Sequence, residues 1–355
     1  MTMAHPQFDL PFNLPERPRV RRIRKASPAE LTGRTQSLAG FEDRFTDIVD
    51  YIVRITDEIW QDRAVGYIRD TYDANCVVYS SYGVTRGAEA VVRNTIAGLA
   101  GAPDGDTNHL NVAWSGDEAL GFYTAHLGYG FATNLAPSDY GPATGRRYSL
   151  RFAADCISAA NKIHTEWLVR DNGAMVRQVG LDLDEAAQRV ALKPAAEPYL
   201  ISAPVPGASP PPLADAGEIE SWARSLFERV WNARRLDRLA EFYAPHAIVH
   251  SASGRSAHGL AAISDLTLSV LAAIPDGEMS VNHVCWADET DGVIVAVRWV
   301  LTGTSARGGV LGNQLPVGRP VFMMGSSHLR LDGPRIVEEW TVFDEVAVMA
   351  MAYRG

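Results

Sequence analysis

The sequence predicts an α+β fold made of two tandem copies of one domain. The segment 162–171 recurs at 335–344, and both segments read basic-Ile-x-x-Glu-Trp-x-x-x-Asp. Other residues recur at nearly the same offset along the chain, which is the signature of a duplicated domain. The recurring pairs include Trp60 and Trp231, Tyr72 and Tyr243, Gly87 and Gly259, and Trp114 and Trp286. In each copy, helical patterns precede a run of strand patterns, the order typical of α+β domains.

The length and composition agree with a globular protein of two domains. A chain of 355 residues is long enough for two hydrophobic cores, and 46% hydrophobic and 21% charged residues are ordinary values. The net charge of −9 argues against a nucleic-acid partner. No apolar run has the length of a membrane span, so no membrane partner is expected. Cys76, Cys156 and Cys285 form no CxxC pair, so we expect reduced core residues in a cytoplasmic protein.

Residues 1–40 are predicted to form an N-terminal arm. The arm contains five prolines and a basic run between Arg17 and Lys25, and it lacks the apolar core of a secretory signal. Such an arm could bind an acidic partner, or it could be a solvated extension that packs along the domains or a neighbouring subunit. We favour the second interpretation, because short basic tails are common.

Residues 41–184 are predicted to form the first domain. Apolar residues at helical spacing indicate a helix within 41–75, followed by a second helical piece that holds Tyr67, Ile68 and Tyr72, and a strand begins at residue 76. A second helix is expected at 88–100, after Gly87. The strands predicted after that helix are 110–114, 119–132, 146–158 and 162–170.

A proline-rich linker is predicted at 185–216, where seven prolines indicate a semi-rigid extended segment. The second domain, 217–355, repeats the plan of the first. It has a helix from Ile219, a strand at 247–250 and a second helix after Gly259. The later predicted strands are 280–287, 292–304, 317–331 and 335–344.

The alternation of side chains along a strand orders the residues of the repeated segment. Trp167 and Asp171 point the same way on a regular strand, and Glu166 points the other way. Trp340 and Asp344 repeat this relationship. An aspartate beside a tryptophan has an apolar wall, which raises the carboxyl pKa and suits the group to proton transfer.

The motifs and their order in both halves resemble one known family. The second half has Val297-Arg298, Gly303-Thr304, Gly318-Arg319, Gly333-Pro334-Arg335-Ile336 and Glu339-Trp340-x-x-x-Asp344. The first half keeps the ending better, with Glu166-Trp167-x-x-x-Asp171 followed by Met175, Gln178 and Gly180. In these features the chain is similar to the SnoaL-like polyketide cyclase group of the NTF2-like superfamily, over residues 45–183 and 218–353.

The resemblance implies two cone-shaped α+β barrels, each with a curved antiparallel sheet wrapped around helices and an apolar cavity inside. Family members use a pocket Asp or His to move protons during cyclisation, isomerisation or dehydration, without a cofactor. Other members only bind ligands or scaffold partners, and fold similarity does not decide between these roles.

The resemblance also places candidate catalytic residues. Asp171 and Asp344 occupy the family's acid/base position. His250 and Tyr79 are equivalent strand residues near the pocket: His250 could act as a base oriented by Asp344, and Tyr79 could donate a hydrogen bond to a substrate oxygen. The alternative is that each is a polar residue bonded to a neighbour in the fold.

The middle strands carry His126 as a further catalytic candidate and Arg298 as a candidate for binding a carboxylate or an enolate. Arg298 could also form a structural ion pair, for which Asp344 could serve as the carboxylate partner. Trp167 and Trp340 are expected in the core or the cavity wall. The other candidate substrate-binding residues are Tyr123 and His328. His164 is expected to be structural.

No metal or cofactor is expected. The sequence contains no HExxH, no GxGxxG after a strand, no phosphate-binding GxxxxGK[ST] and no GxSxG. The sequence therefore favours a cofactor-independent cyclase, isomerase or dehydratase acting on a small, mostly apolar oxygenated molecule. A non-catalytic ligand-binding or scaffolding protein is the alternative, with the halves associated like a dimer within one chain. Further assembly into a homo-oligomer is left open.

Overall fold

The computed structural model describes residues 9–18, 20, 33–193, 217–289 and 292–354. The fold is α+β, with a curved, open sheet. We call residues 48–193 the first half and residues 217–354 the second half. No helix of the described residues is both long enough and apolar enough to span a membrane.

The first half begins with helices and continues with strands. Its helices are α1 (Ile48–Thr56), α2 (Ile68–Thr71), α3 (Ala88–Gly101), α4 (Asn172–Gln178) and α5 (Leu183–Ala191). Its strands are β1 (Tyr72–Ser80), β2 (Gly83–Arg86), β3 (Asp106–Asp117), β4 (Gly121–Thr133), β5 (Arg147–Ala159) and β6 (Lys162–Arg170). A π-helical turn, Asp57–Gln61, follows α1 directly.

The second half has the same order of elements, except that one helix instead of two follows its last strand. Its helices are α6 (Gly217–Leu226), α7 (Leu239–Phe242), α8 (Gly259–Ala273) and α9 (Glu345–Arg354). Its strands are β7 (Tyr243–His250), β8 (Ser256–His258), β9 (Glu278–Glu289), β10 (Gly292–Thr304), β11 (Pro320–Asp332) and β12 (Arg335–Phe343). The turn that follows α6, Phe227–Asn232, is again π-helical.

Local chemistry explains where several helices start. Asp47 caps α1 by accepting a hydrogen bond from the Asp50 N–H. Gly87 and Gly259, just before or at the start of α3 and α8, have φ values of 82° and 79°. This left-handed conformation favours glycine, and a Cβ on Gly87 would lie 3.0 Å from the Ala74 carbonyl oxygen.

All twelve strands form one sheet in the order β2-β1-β6-β5-β4-β3-β9-β10-β11-β12-β7-β8. The expectation of two separate barrels is therefore not confirmed. The halves join at the centre of this order, where β3 and β9 pair antiparallel through Trp114 and Trp286. Trp114 and Trp286 are 172 positions apart, which is the offset at which other residues recur in the sequence. Each half therefore contributes the same edge of its own sheet to the junction.

Both faces of the sheet are buried. The inner face of each half packs against its helices, as in the core that contains Val249, Trp299 and Phe343. The outer faces of the two halves pack against each other, in a core that contains Tyr79 and Trp167 from the first half together with residues of the second half. The second-half members include Cys285, Ile294, Val300, Phe322, Met324 and Trp340.

The described part of the N-terminal arm lies along the protein. Arg17 donates hydrogen bonds to the carbonyl oxygens of Trp114 at 2.8 Å and Trp286 at 2.6 Å, and its guanidinium lies over both indole rings. Phe12 packs edge-on against Trp222 of α6. Most of the basic run that follows Arg17 lies outside the described residues.

Two predicted boundaries differ from the structure. The predicted strand start at residue 76 is late, since β1 begins at Tyr72. The start of the predicted linker 185–216 lies in α5, a helix capped by Asp182 and packed against α9. Residues 194–216 of that linker lie outside the described residues.

Candidate active site

The two predicted catalytic aspartates lie between the halves. β6 ends at Arg170, and Asp171 caps α4 instead of continuing the strand. Its carboxylate accepts hydrogen bonds from the backbone N–H groups of Ala174 at 3.0 Å and of Ser253, in the other half, at 2.8 Å. Burial raises the pKa of Asp171 to about 6. These bonds hold Asp171 in a helix cap.

Asp344 has a related position before α9. It accepts hydrogen bonds from the Tyr82 hydroxyl at 2.7 Å, from Asn172 at 2.5 Å and from the Val346 N–H at 3.1 Å. Burial raises the pKa of Asp344 to about 7. Neither aspartate lines any of the three cavities described below, although Asp344 reaches the rim of one of them through Asn172.

Four other predicted residues form matched pairs on the outer face. Tyr79 stacks on Trp167 with ring centroids 5.8 Å apart, and His250 stacks on Trp340 at 5.9 Å. His250 bonds to Glu338 at 3.1 Å, so Asp344 does not orient it as predicted. Tyr79, Trp167 and Trp340 belong to the core between the halves.

Arg298 and Tyr123 meet at the same interface. The Arg298 Nε donates to the Tyr123 hydroxyl at 3.0 Å, and the Tyr123 hydroxyl donates to Asp155 at 2.5 Å. The guanidinium of Arg298 lies 3.9 Å from the Trp167 ring and 3.8 Å from Asp155. The buried ion-pair partner of Arg298 is thus Asp155 of the first half, and not Asp344 as predicted.

His328 is also buried at this interface. Its Nδ1 lies 2.5 Å from the Asn111 side-chain oxygen, across the two halves. Burial lowers the pKa of His328 to about 3, so the ring is neutral. His164 is exposed and lies near Asp73, and it lines none of the cavities described below.

The inner face of the first half encloses a cavity of two adjoining chambers. The inner chamber has a volume of about 140 Å³ and is lined by Tyr72, His126 and Glu166, with apolar side chains around them. The outer chamber has a volume of about 450 Å³ and shares Glu166 and Arg170 with the inner one. A mostly apolar cavity with a few convergent polar groups is the usual form of a small-molecule site.

Glu166 is the buried carboxyl at the junction of these chambers. Among the described residues, its one hydrogen-bond donor is the Tyr72 hydroxyl, at 3.0 Å. Burial raises the pKa of Glu166, and the hydrogen bond from Tyr72 and the charge of Arg170 oppose that shift. A carboxyl with a raised pKa and an open side can exchange a proton with a bound molecule.

His126 belongs to a chain of three titratable side chains. Its Nε2 lies 2.8 Å from Nδ1 of His109, and Nε2 of His109 lies 2.6 Å from the Asp57 carboxylate. Burial lowers the pKa of His126 well below its usual value, and His109 and His328 add to the effect. The imidazole in the chamber is therefore neutral.

The matching cavity of the second half is nearly closed, with a volume of about 40 Å³. Glu339, the counterpart of Glu166, accepts hydrogen bonds from both Tyr243 and Thr341 at 2.5 Å. Phe343 takes the position of Arg170 and packs against Trp299. The second half therefore offers no comparable room for a ligand.

Sequence reasoning did not select Glu166, Asp57 or His109. The alternation rule had correctly set Glu166 opposite Trp167, and that opposite face is the cavity face. The described residues contain no group of three or more His, Cys, Asp or Glu side chains that could hold a metal ion. Cys76, Cys156 and Cys285 are buried free thiols.

Comparison with known families identifies one domain. The model of the SnoaL-like polyketide cyclase family matches residues 222–351, so this segment is a SnoaL-like polyketide cyclase domain. No curated protein sequence matches the chain.

Several solved structures resemble part of the chain. A protein of Jannaschia sp. CCS1 assigned as a SnoaL-like polyketide cyclase is 21% identical, covering 39% of this chain and 92% of its own, with a TM-score of 0.33. IdmH of Streptomyces antibioticus, assigned as a polyketide cyclase, is 26% identical over 37% of this chain and 96% of its own, with a TM-score of 0.31. A protein of Catenulispora acidiphila with a ketosteroid isomerase-like fold is 17% identical over 36% of this chain and 90% of its own, with a TM-score of 0.30.

Proposed function

We propose that the protein is a cofactor-independent acid/base enzyme of the cyclase, isomerase or dehydratase type, and that its reactive site is the inner chamber of the first half. The observation that carries the proposal is the Glu166 carboxyl, buried between the two chambers with Tyr72 as its one donor among the described residues. The SnoaL-like domain at 222–351 lies in the other half, so it supports the reaction class only together with the duplication proposed below.

The chamber suits removal of a proton next to a carbonyl group. The Glu166 carboxylate takes the proton, and the electrons of the C–H bond move to the carbonyl oxygen, which becomes an enolate. Return of the proton to another carbon gives isomerisation, and attack of the enolate carbon on a second carbonyl gives cyclisation. Loss of a β-hydroxyl group, which leaves as water with the proton held by Glu166, gives dehydration instead. Arg170, which lines both chambers, supplies positive charge near the developing anion.

The cavity also indicates the substrate class. Apolar side chains such as Leu150, Phe152 and Leu168 line the chambers, and the polar groups are few. The substrate would be a small, mostly apolar molecule with a ketone or a related oxygen function. We propose that the first half binds this molecule in its chambers.

We propose further that the halves are two copies of one NTF2-like domain, joined as a dimer within one chain. The paired contacts of Tyr72 with Glu166 and of Tyr243 with Glu339 support this duplication. A non-catalytic scaffolding protein is the alternative that the sequence leaves for the whole chain. The closed cavity of the second half supports that role for this half alone. On this proposal the first half reacts and the second half supports it.

Proton exchange on a ketone probe tests the function. We expect the wild-type protein to accelerate exchange of the α-protons of β-tetralone in D₂O, followed by proton NMR. Glu166→Gln should lower that rate by about 100-fold or more, the usual contribution of a general base. Wild-type exchange no faster than in buffer, or full activity in Glu166→Gln, would contradict the proposal.

The matched control is Glu339→Gln, which makes the same change in the closed cavity. This variant should keep the wild-type exchange rate. Thermal unfolding of both variants shows whether each is folded. If Glu339→Gln is folded but loses activity as Glu166→Gln does, the reactive site is not confined to the first half.

A further inference from the structure

We propose that Asp57 and His109 form the path by which protons pass between His126 in the inner chamber and the solvent. This inference rests on the proposed function of the first half. In the proposed path, His126 contacts the substrate, and Asp57 and His109 are positioning residues that act through His126. The contact distances of 2.8 Å and 2.6 Å make the three side chains a continuous hydrogen-bonded chain.

Exposure rises along the chain from the chamber outward. His126 is 1% exposed and lines the inner chamber. The side chain of His109 is 12% exposed, and that of Asp57 is 38% exposed. Gln61 holds the outer end in place by donating to Asp57 at 2.9 Å and to the Thr107 carbonyl oxygen at 2.9 Å. One end of the chain is thus in the cavity and the other is in contact with water.

The acidic end fixes the direction of the hydrogen bonds. An ionised Asp57 only accepts, so a neutral His109 carries its proton on Nε2 and has a lone pair on Nδ1. His126 must then donate from Nε2, which leaves its own Nδ1 as an acceptor. His126 Nδ1 makes no hydrogen bond with any described residue, so it is available to a hydroxyl group of a ligand.

A proton can move along this chain without leaving charge on a buried ring. His126 Nδ1 takes the proton of the enol hydroxyl of the ligand while its Nε2 proton passes to Nδ1 of His109, and the enolate left behind takes a proton at carbon from Glu166. The Nε2 proton of His109 passes to Asp57, and Asp57 releases a proton to water. The charged and titratable groups around His126 are His109, His328 on the outer face, and Glu166, Arg170 and Tyr72 in the chamber.

The second half shows that the fold does not require this chain. Asp57 corresponds to Glu228, which accepts a hydrogen bond from Asn232 as Asp57 does from Gln61. His109 corresponds to Val281, which pairs with Trp299 as His109 pairs with Gly128. His126 corresponds to Val297 by the same strand register. The relay is therefore specific to the half that has the open cavity.

The tautomers of the two histidines test the hydrogen-bond chain directly. Nitrogen-15 NMR of the full-length protein should show His109 and His126 both protonated on Nε2 and unprotonated on Nδ1. Asp57→Asn should change the His109 resonances, and Glu228→Gln should not. A protonated Nδ1 on His126 would overturn the proposal. This readout needs no turnover, so it fails or succeeds independently of the proposed function.

Exchange of β-tetralone tests whether the chain carries protons. Asp57→Asn and His109→Ala should each lower the exchange rate about 10-fold or more, a part of the usual general acid–base contribution. Added imidazole should restore the His109→Ala rate, because it can occupy the vacated space. Glu228→Gln is the matched control and should keep the wild-type rate. Unchanged rates in folded Asp57→Asn and His109→Ala would overturn the inference.

Discussion

Glu166 and Glu339 occupy the same position in the two halves, but their carboxylates are held differently. Each accepts a hydrogen bond from a tyrosine at the start of the neighbouring strand, at 3.0 Å from Tyr72 and 2.5 Å from Tyr243. Glu339 has a second donor in Thr341 and faces a cavity of about 40 Å³, whereas Glu166 faces chambers of about 140 and 450 Å³. One carboxylate is a buried structural group, and the other is open to a ligand.

Filling the open chamber should block ligand binding without loss of stability. Leu150 lines both chambers, and the extra volume in Leu150→Trp can extend into empty space. We expect that variant to lose β-tetralone exchange while its free energy of unfolding in urea stays within about 0.5 kcal/mol of the wild type.

The control is Met323→Trp, at the corresponding position of the closed half. Met323 is 1% exposed in a packed core, so a larger ring must displace its neighbours. Overpacking of this kind costs about 1–3 kcal/mol. Equal stability of the two variants would show that the halves do not differ in free space.

Asp344 should make the protein less stable as the pH rises. Burial raises its pKa from 3.8 to about 7 in the folded protein. Between these values the unfolded carboxyl is ionised while the folded one keeps its proton, so unfolding releases a proton and becomes easier at higher pH.

Asp344→Asn removes this titration. We expect the free energy of unfolding of the variant, relative to the wild type, to improve by a few kcal/mol between about pH 4 and pH 7 and then to level off. Urea titrations of both proteins at several pH values measure the difference. A difference that does not change with pH would mean that Asp344 titrates in the same range when folded and unfolded.

Arg17 should stabilise the junction between the halves. Its guanidinium donates to the carbonyl oxygens of Trp114 and Trp286, the residues through which β3 and β9 pair in the sheet. Arg17→Met should lower the free energy of unfolding by about 1–3 kcal/mol, since hydrogen bonds from a charged donor are lost.

Arg235→Met is a suitable comparison for this variant. Arg235 forms an exposed ion pair with Asp237, and exposed pairs contribute about 0–1 kcal/mol. Chemical unfolding followed by tryptophan fluorescence measures both. If Arg17→Met is no less stable than Arg235→Met, the arm does not hold the junction together.

The sequence predicted the α+β class and several late strands well. The predicted strands at 162–170 and 292–304 have the bounds of β6 and β10, because long β-branched and apolar runs there end at clear turns. The second helical piece predicted at Tyr67, Ile68 and Tyr72 lies at two short helices, Val65–Tyr67 and α2, although Tyr72 already begins β1. The helix predicted before that piece was less accurate, since α1 passes into a π-helical turn. The spacing of hydrophobic residues does not show where an α-helix changes into a π-helical turn.

The candidate site was harder to predict for a physical reason. Alternation separated Glu166 from Trp167, but it could not tell which face of the strand lines a cavity. Both faces are apolar here, because the outer face packs against the other half. Contacts between distant segments, such as Asp155 with Arg298 or Asp57 with His109, have no local signal in the sequence.

The most direct test of the central claim is a crystal structure of the protein with β-naphthol, an aromatic analogue of the enol of β-tetralone. Analogues of a reaction intermediate bind best where the enzyme stabilises the reacting groups. The account predicts β-naphthol in the inner chamber of the first half, with its oxygen within hydrogen-bond distance of Glu166 or His126. Binding in the second half, or against Asp171 or Asp344 outside the chambers, would contradict it.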